Sequence, residues 1–305
     1  MLSKFSFDIL GMGCAAVDDI IYVKSYPPVN IKIPVLRRKR EVGGLTARAL
    51  IAASNLGAKC AYSAVLGVND LSEYVFNEFQ LAGIDVESVK KNDEAGPIHT
   101  VAIVAEEEPT RNTFFDVSYW NNGILDYCTS DDLINSARVL LIDNYIGIKS
   151  AIKATKIARE ASIPVVGDLE DNDYDDFDQL LNLVDHLIIS NDFALKISGC
   201  SHPEDAVEKL WDTDKEFIAV TNGEDGCWYR CSGDSKIYHQ PAFSVPVVDT
   251  TGCGDVFHGV YALALAKRLP AYDRVKIASA SAALKAKGKI PSKKTLELLL
   301  GETLI

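Results

Sequence analysis

The stretch Asp249-Thr250-Thr251-Gly252-Cys253-Gly254-Asp255-Val256-Phe257-His258-Gly259 reads as a tight turn opening into a helix. Two glycines straddle one residue, and without Cβ atoms they let the backbone turn sharply and approach a ligand. The amides of Cys253, Gly254 and Asp255 then point out of the helix N-terminus, where the helix dipole adds to their attraction for an anion. Asp255 falls in the first turn, beside that cradle. A carboxylate there accepts a proton from an attacking hydroxyl. Anion cradle plus carboxylate base is the minimal apparatus for phosphoryl transfer to an alcohol. Spacing alone leaves a second reading open, in which Asp255 only caps the helix.

No G-x-x-x-x-G-K-S/T sequence occurs in the chain, so P-loop folds are excluded. Towards the N-terminus, Gly11-Met12-Gly13-Cys14-Ala15-Ala16 matches the G-x-G-x-x-A dinucleotide pattern. That pattern needs a helix next, whereas Val17-Asp18-Asp19-Ile20-Ile21-Tyr22-Val23 favours a strand. Asp171-Asn172-Asp173-Tyr174-Asp175 starts like a calcium-binding loop, but Asp176 stands where Gly is required and Asn182 where Glu is required. It reads as a solvated acidic loop. Asp168 and Glu170, at the end of the preceding strand, are kept as candidate Mg²⁺ ligands.

The 305 residues are 48% apolar and 24% charged, enough for one large α/β domain with a sizeable core. No apolar run approaches the roughly 18 residues of a membrane span, and Met1 to Phe7 lacks the features of a secretion signal. A cytoplasmic protein with no membrane partner is expected. A formal charge of −12 argues against nucleic-acid binding, which needs a basic face. Seven cysteines without a C-x-x-C pair read as reduced thiols. The basic run Arg37-Arg38-Lys39-Arg40 reads either as a solvated strand or loop edge or as a rim near an anionic ligand.

Periodicity predicts strands near 5–11 and 61–66, with helices near 45–56 and 70–82. From about 139 onward, short apolar strands alternate with amphipathic helices, which indicates a parallel sheet covered on both faces. The last third turns helical, near 254–267, 273–287 and 293–300. β segments at roughly 19–42 and 97–118 do not fit the parallel pattern and are expected to form a small separate sheet.

The segment 249–255 resembles the D-T-x-G-x-G-D signature of the ribokinase/PfkB carbohydrate kinases. Gly43-Gly44, Ala47, Ala49, Leu56-Gly57, Gly67, Asp70 and Gly83-Ile84-Asp85 resemble that family's N-terminal signature in order and spacing. Thr221-Asn222-Gly223-Glu224-Asp225-Gly226 resembles its nucleotide loop. The matches cover nearly the whole chain, and 239–259 looks most like the sulfofructose kinase and ketohexokinase branch. The resemblance implies a three-layer α/β/α fold in one domain over 1–305, with a mostly parallel central sheet and the small β-sheet as a lid. It implies ATP-dependent phosphorylation of a sugar hydroxyl, with Asp255 as general base and an anion hole at Gly252, Cys253 and Gly254. Asp18, Gly43, Gly44 and Arg48 would meet the sugar, and Thr221, Gly223 and Gly226 the nucleotide. Mg²⁺ would accompany ATP, a monovalent cation such as K⁺ would sit near Asp249 and Thr251, and the lid would double as a homodimer interface.

The chain departs from the family pattern at several points. Arg48 stands where the family has Asn, and a guanidinium there would favour an anionic acceptor. Ser190 and Phe193 occupy the positions of the family's N-x-x-E motif, which organises metal and phosphate. Cys253 is commonly Ala, and a thiol at a helix N-terminus is expected to be reactive. His258 reads as a packing or hydrogen-bonding residue. Two alternatives remain: a nucleoside kinase, with Tyr119 and Trp120 stacking on a base, and a non-catalytic sugar-binding regulatory protein on the same scaffold.

Overall fold

The layout follows from where apolar residues alternate. The computed structural model describes residues 5–107, 110–116 and 129–301. Its first half runs β1 (Phe7–Met12), β2 (Ala16–Val23), β3 (Arg37–Gly43), α1 (Leu45–Asn55), β4 (Cys60–Tyr62), β5 (Val65–Leu66), α2 (Asp70–Leu81), β6 (Lys90–Lys91), β7 (Ile98–Ala105) and β8 (Thr110–Asp116). Next come α3 (Asp131–Asn135), β9 (Ala137–Asp143), α4 (Ile148–Glu160), β10 (Val165–Asp168), α5 (Phe177–Leu183), β11 (His186–Ser190), α6 (Asn191–Ser198) and α7 (Pro203–Leu210). The chain finishes with β12 (Phe217–Thr221), β13 (Cys227–Cys231), β14 (Tyr238–Gln240), α8 (Cys253–Ala266), α9 (Ala271–Ala286) and α10 (Lys293–Leu300).

Among the described residues, the main sheet has the order β14-β13-β12-β11-β10-β9-β1-β4. All its pairs are parallel except the two at the β14 edge. Successive strand residues point to opposite faces. Ile9, Val139, Leu141 and Val166 therefore join a core beneath α1, α2, α8 and α9. Leu10, Leu140, Ile142 and Val165 join a second core beneath the helices from α3 to α7. Covering both faces is what makes these strands near-continuously apolar, and the result is a three-layer α/β/α molecule.

A second sheet of order β3-β2-β7-β8 stands apart. The chain reaches it directly from β1: residues 13–15 leave the main sheet, and β2 begins at Ala16, three residues before the expected boundary at 19. The basic run lies in β3, whose strand pairing spaces its charges onto alternate faces. The strand expected over 61–66 divides into β4 and β5. Ser63 still donates its amide to Gly11 O (3.0 Å), after which the chain turns off to pair β5 with β6. The short helices α3 and α5 were not foreseen, being too brief to show a helical period.

α1 and α8 cross in close contact. A Cβ added at Gly259 would collide with the backbone carbonyl of Ala49. This approach brings Arg48 on α1 against the first turn of α8.

Candidate active site

The parallel strands end on one side of the molecule, and the loops there carry the polar residues, as open α/β sheets arrange for a ligand. α8 starts above those ends. Gly252, its N-cap, is left-handed (φ +76°), and a Cβ at that position would run into the Arg48 guanidinium. The Cys253 amide is occupied, donating to Thr250 O (3.2 Å). Those of Gly252, Gly254 and Asp255 have no backbone acceptor among the described residues. The cradle therefore offers the amides on either side of Cys253, and not that of Cys253 itself. Its thiol also departs from expectation. Burial pushes it up to about 11, against the pull of Lys285, so it is not an activated nucleophile.

Asp255 is buried in the first turn of α8. Burial pushes its carboxyl up to about 7, with Arg48 opposing the rise and Glu170, Asp18 and Asp143 adding to it. Arg48 Nη1 lies 3.6 Å from Asp255 Oδ2. The rest of the guanidinium is committed elsewhere: Nη2 donates to Asp18 Oδ2 (2.7 Å) and Glu41 Oε1 (3.4 Å), and Nε donates to Val42 O (3.2 Å). Asp18 and Glu41 are direct partners across β2 and β3. Gly43, at the end of β3, gives Asp18 room, since a Cβ there would strike its carboxylate. Gly44 (φ +87°) then starts α1. The four residues expected to meet the sugar thus share one neighbourhood with Asp255.

Asp143, at the end of β9, escaped the sequence reading. It is fully buried and accepts from the Cys14 amide (2.8 Å), Thr46 Oγ1 (2.8 Å) and the Tyr145 amide (2.9 Å). Burial raises its carboxyl while these bonds pull it down. An acid closing an apolar strand was the available signal. Asp168, the next strand-end acid, turns inward to His258 Nδ1 (3.1 Å). That nitrogen also faces Gly254 O (2.8 Å), and Nε2 faces Ile188 O (2.9 Å). Burial raises the Asp168 carboxyl and lowers the imidazole. Both ring nitrogens of His258 thus lie against backbone carbonyl oxygens, with the Asp168 carboxyl beside Nδ1. His258 bonds and packs, as expected.

The positions of the missing N-x-x-E motif serve the fold. Ser190 caps α6 by accepting from the Phe193 amide (3.3 Å), and Phe193 packs edge-on against Phe177. Among the described residues, no three His, Cys, Asp or Glu side chains converge into a metal cage. Asp249 accepts from the Thr251 amide (2.9 Å), and its Oδ2 is 3.9 Å from Lys285 Nζ. Arg111, on β8, donates to the Thr251 hydroxyl. Both expected ligands of a monovalent cation thus already have cationic side chains beside them, a poor fit for K⁺. Neither Lys285 nor Arg111 carries a local signal of this contact, and only folding brings them to this loop.

Thr221 ends β12, and Gly223 lies in the turn that follows. A Cβ on Gly226 would collide with Gln240 O, so the close approach of β14 requires glycine there. From β1 to β12 is four strand steps, roughly 19 Å at about 4.8 Å each. Tyr119 and Trp120 lie outside the described residues.

Comparison with known proteins agrees with this geometry. The pfkB family carbohydrate kinase model matches residues 9–294. A ribokinase of Haemophilus influenzae is 25% identical over 301 residues, covering 94% of this chain and 97% of that protein. A 5-dehydro-2-deoxygluconokinase of Clostridium perfringens is 23% identical over 309 residues, covering 92% and 87%. Among solved structures, an Arabidopsis thaliana ribokinase complexed with ribose and ATP superposes with a TM-score of 0.83 at 20% identity, covering 97% of this chain and 99% of that one. A Thermotoga maritima ribokinase gives a TM-score of 0.81 at 19% identity, with 97% and 100% covered. A match over nearly the whole length, joined to the α8 cradle and its buried carboxylate, settles the lineage: the chain belongs to the pfkB family of carbohydrate kinases.

Proposed function

We propose that this kinase transfers the γ-phosphoryl group of ATP to a hydroxyl of a sugar, with Asp255 as general base. The observation that carries the reading is the buried Asp255 carboxylate in the first turn of α8, beside unbonded amides at the helix N-terminus. The acceptor hydroxyl gives its proton to Asp255 as its oxygen forms the new P–O bond. The bond to the β-phosphate oxygen breaks, and ADP leaves with that electron pair. The amides of Gly252, Gly254 and Asp255, reinforced by the helix dipole, meet the charge on the transferred phosphoryl oxygens. Mg²⁺ carried by the nucleotide would neutralise the β- and γ-phosphates, and Glu170, exposed beyond β10, would be the carboxylate to meet its water shell. Asp168 is less suited, being bound to His258.

The expected preference for an anionic acceptor finds no support in the position of Arg48. Its guanidinium already faces Asp18, Glu41 and Asp255, so the acceptor end of the site is acidic overall. A neutral, hydroxyl-rich acceptor fits better. The small sheet acts as a lid in this reading, and the contact from Arg111 to Thr251 is its touch on the phosphate loop. Water excluded by such closure cannot compete for the phosphoryl group. The edge strand β8 exposes Phe114 and Phe115, which suits pairing with a second copy. A monomer mass in light scattering would contradict that assembly.

The test is ADP release from ATP and Mg²⁺ across neutral sugars, sugar phosphates, sulfonated sugars, sugar acids and nucleosides. The reading expects turnover on neutral sugars. Turnover confined to nucleosides would overturn it.

A further inference from the structure

Six carboxylates crowd the reacting end of the site, and one cation sits among them. Asp255 is faced from the lid by Asp18 on β2, with Glu41 on β3 bonded to the same guanidinium, and from the main sheet by Asp143, Asp168 and Glu170. Cys14, Cys253 and His258 are the other titratable neighbours. Lys285, on α9, is directed at Asp249. Among the described residues, only Arg48 presents a positive group to the base. It does so from a fixed position: the side chain is 10% exposed, three bonds anchor its Nε and Nη2, and Gly252 leaves room for it against the α8 turn. Nη1 is the edge left facing Asp255, at 3.6 Å. That separation exceeds a hydrogen bond, so it leaves the carboxylate oxygen free to accept a substrate proton while still holding positive charge near it.

We propose that Arg48 is a positioning residue that ties the lid acids Asp18 and Glu41 to the catalytic turn and keeps Asp255 in its charged, proton-accepting form. The inference rests on the assignment of Asp255 as base. It gives the guanidinium a role that an asparagine at this position could not fill. The chemistry explains why the cation is needed here. A carboxylate buried among other acids picks up a proton near neutrality, and a protonated Asp255 cannot take one from the acceptor. The position of Asp255 near 7 despite Arg48 shows how strong the opposing burial is.

The titration that carries the test does not need the sugar to be known. The full chain is labelled with carboxyl-¹³C aspartate, and the resonance missing from Asp255→Asn is assigned to Asp255 and titrated. In Arg48→Gln its midpoint should move up by at least about one unit, which at pH 7 cuts the ionised fraction roughly fivefold. In Arg48→Lys, which keeps the charge, it should stay within about half a unit of wild type. Should Arg48→Gln not fold, the double variant Arg48→Gln/Asp18→Asn removes the cation and its main partner together. Its midpoint should still rise, because Arg48 outweighs Asp18 at Asp255. An unchanged midpoint in a folded neutral variant overturns the proposal. So does a turnover deficit in Arg48→Gln that is equally deep at pH 6 and pH 9, which marks a purely structural role. Full turnover in Asp255→Asn would instead overturn the base assignment, whatever the titration shows.

Discussion

In the role proposed for it, Asp255 combines two demands that pull against each other: it must be sheltered from water to act on a bound hydroxyl, and it must be charged. Shelter moves its carboxyl from an ordinary 3.8 up to about 7. Between those values the folded protein keeps a proton that the unfolded chain has released. Stability therefore falls as pH rises from about 4 to about 7, and the cost is complete above that window. Asp255→Asn has no such proton to lose. It should match wild type in Tm near pH 4 and exceed it at pH 8, by a few kcal/mol in unfolding free energy. Parallel Tm curves for the two proteins would show that the carboxylate carries no such strain. The same shift predicts that turnover climbs with pH through about 7 as the base ionises.

At the scale of elements, the site depends on two contacts. The first is the crossing of α1 and α8, where Gly259 lies against the Ala49 carbonyl. Gly259→Ala must push the helices apart and carry Arg48 away from Asp255. A destabilisation of about 2 kcal/mol or more is expected, with a larger proportional loss in kcat than in nucleotide affinity. Wild-type kinetics in a destabilised variant would mean the crossing does not set the site. The second contact lies within the small sheet. Asp19 on β2 receives two bonds from Arg40 on β3, both 2.7 Å, and His99 on β7 is 2.9 Å away. The Arg40 bonds, outweighing burial and joined by His99, hold the Asp19 carboxyl down at about 2. Three strands are thus tied on the face opposite Asp18. The group is largely exposed, so its worth to stability is modest, and its effect falls on the shape of the sheet that presents Asp18.

Over the whole molecule, the residues proposed to meet sugar, proton and nucleotide lie at the strand ends and the loops beyond them, and the sequence shows some of them far better than others. The glycine turn and Asp255 were legible because they are contiguous, and a cradle needs only neighbouring amides. The parallel sheet was legible because strands buried on both faces are apolar throughout. Asp143, Lys285 and Arg111 were not, since each gains its meaning from a partner far along the chain, up to 140 positions away. Arg48 shows the limit best. Its position pointed to the sugar pocket, but its charge is claimed by acids that the sequence does not place beside it. Likewise Asp249 and Thr251 suggested a monovalent cation until Lys285 and Arg111 were found beside them. Turnover should therefore change less than about twofold when K⁺ is replaced by tetramethylammonium at constant ionic strength. Strict K⁺ dependence would contradict this account of the loop. The central claim is tested most directly by ADP release in wild type and Asp255→Asn, with Mg²⁺ and ATP, on the sugar found by the acceptor panel. The account predicts a fall of about 10²–10⁴-fold in kcat with the fold intact. Undiminished turnover in the Asn variant would show that another group takes the proton.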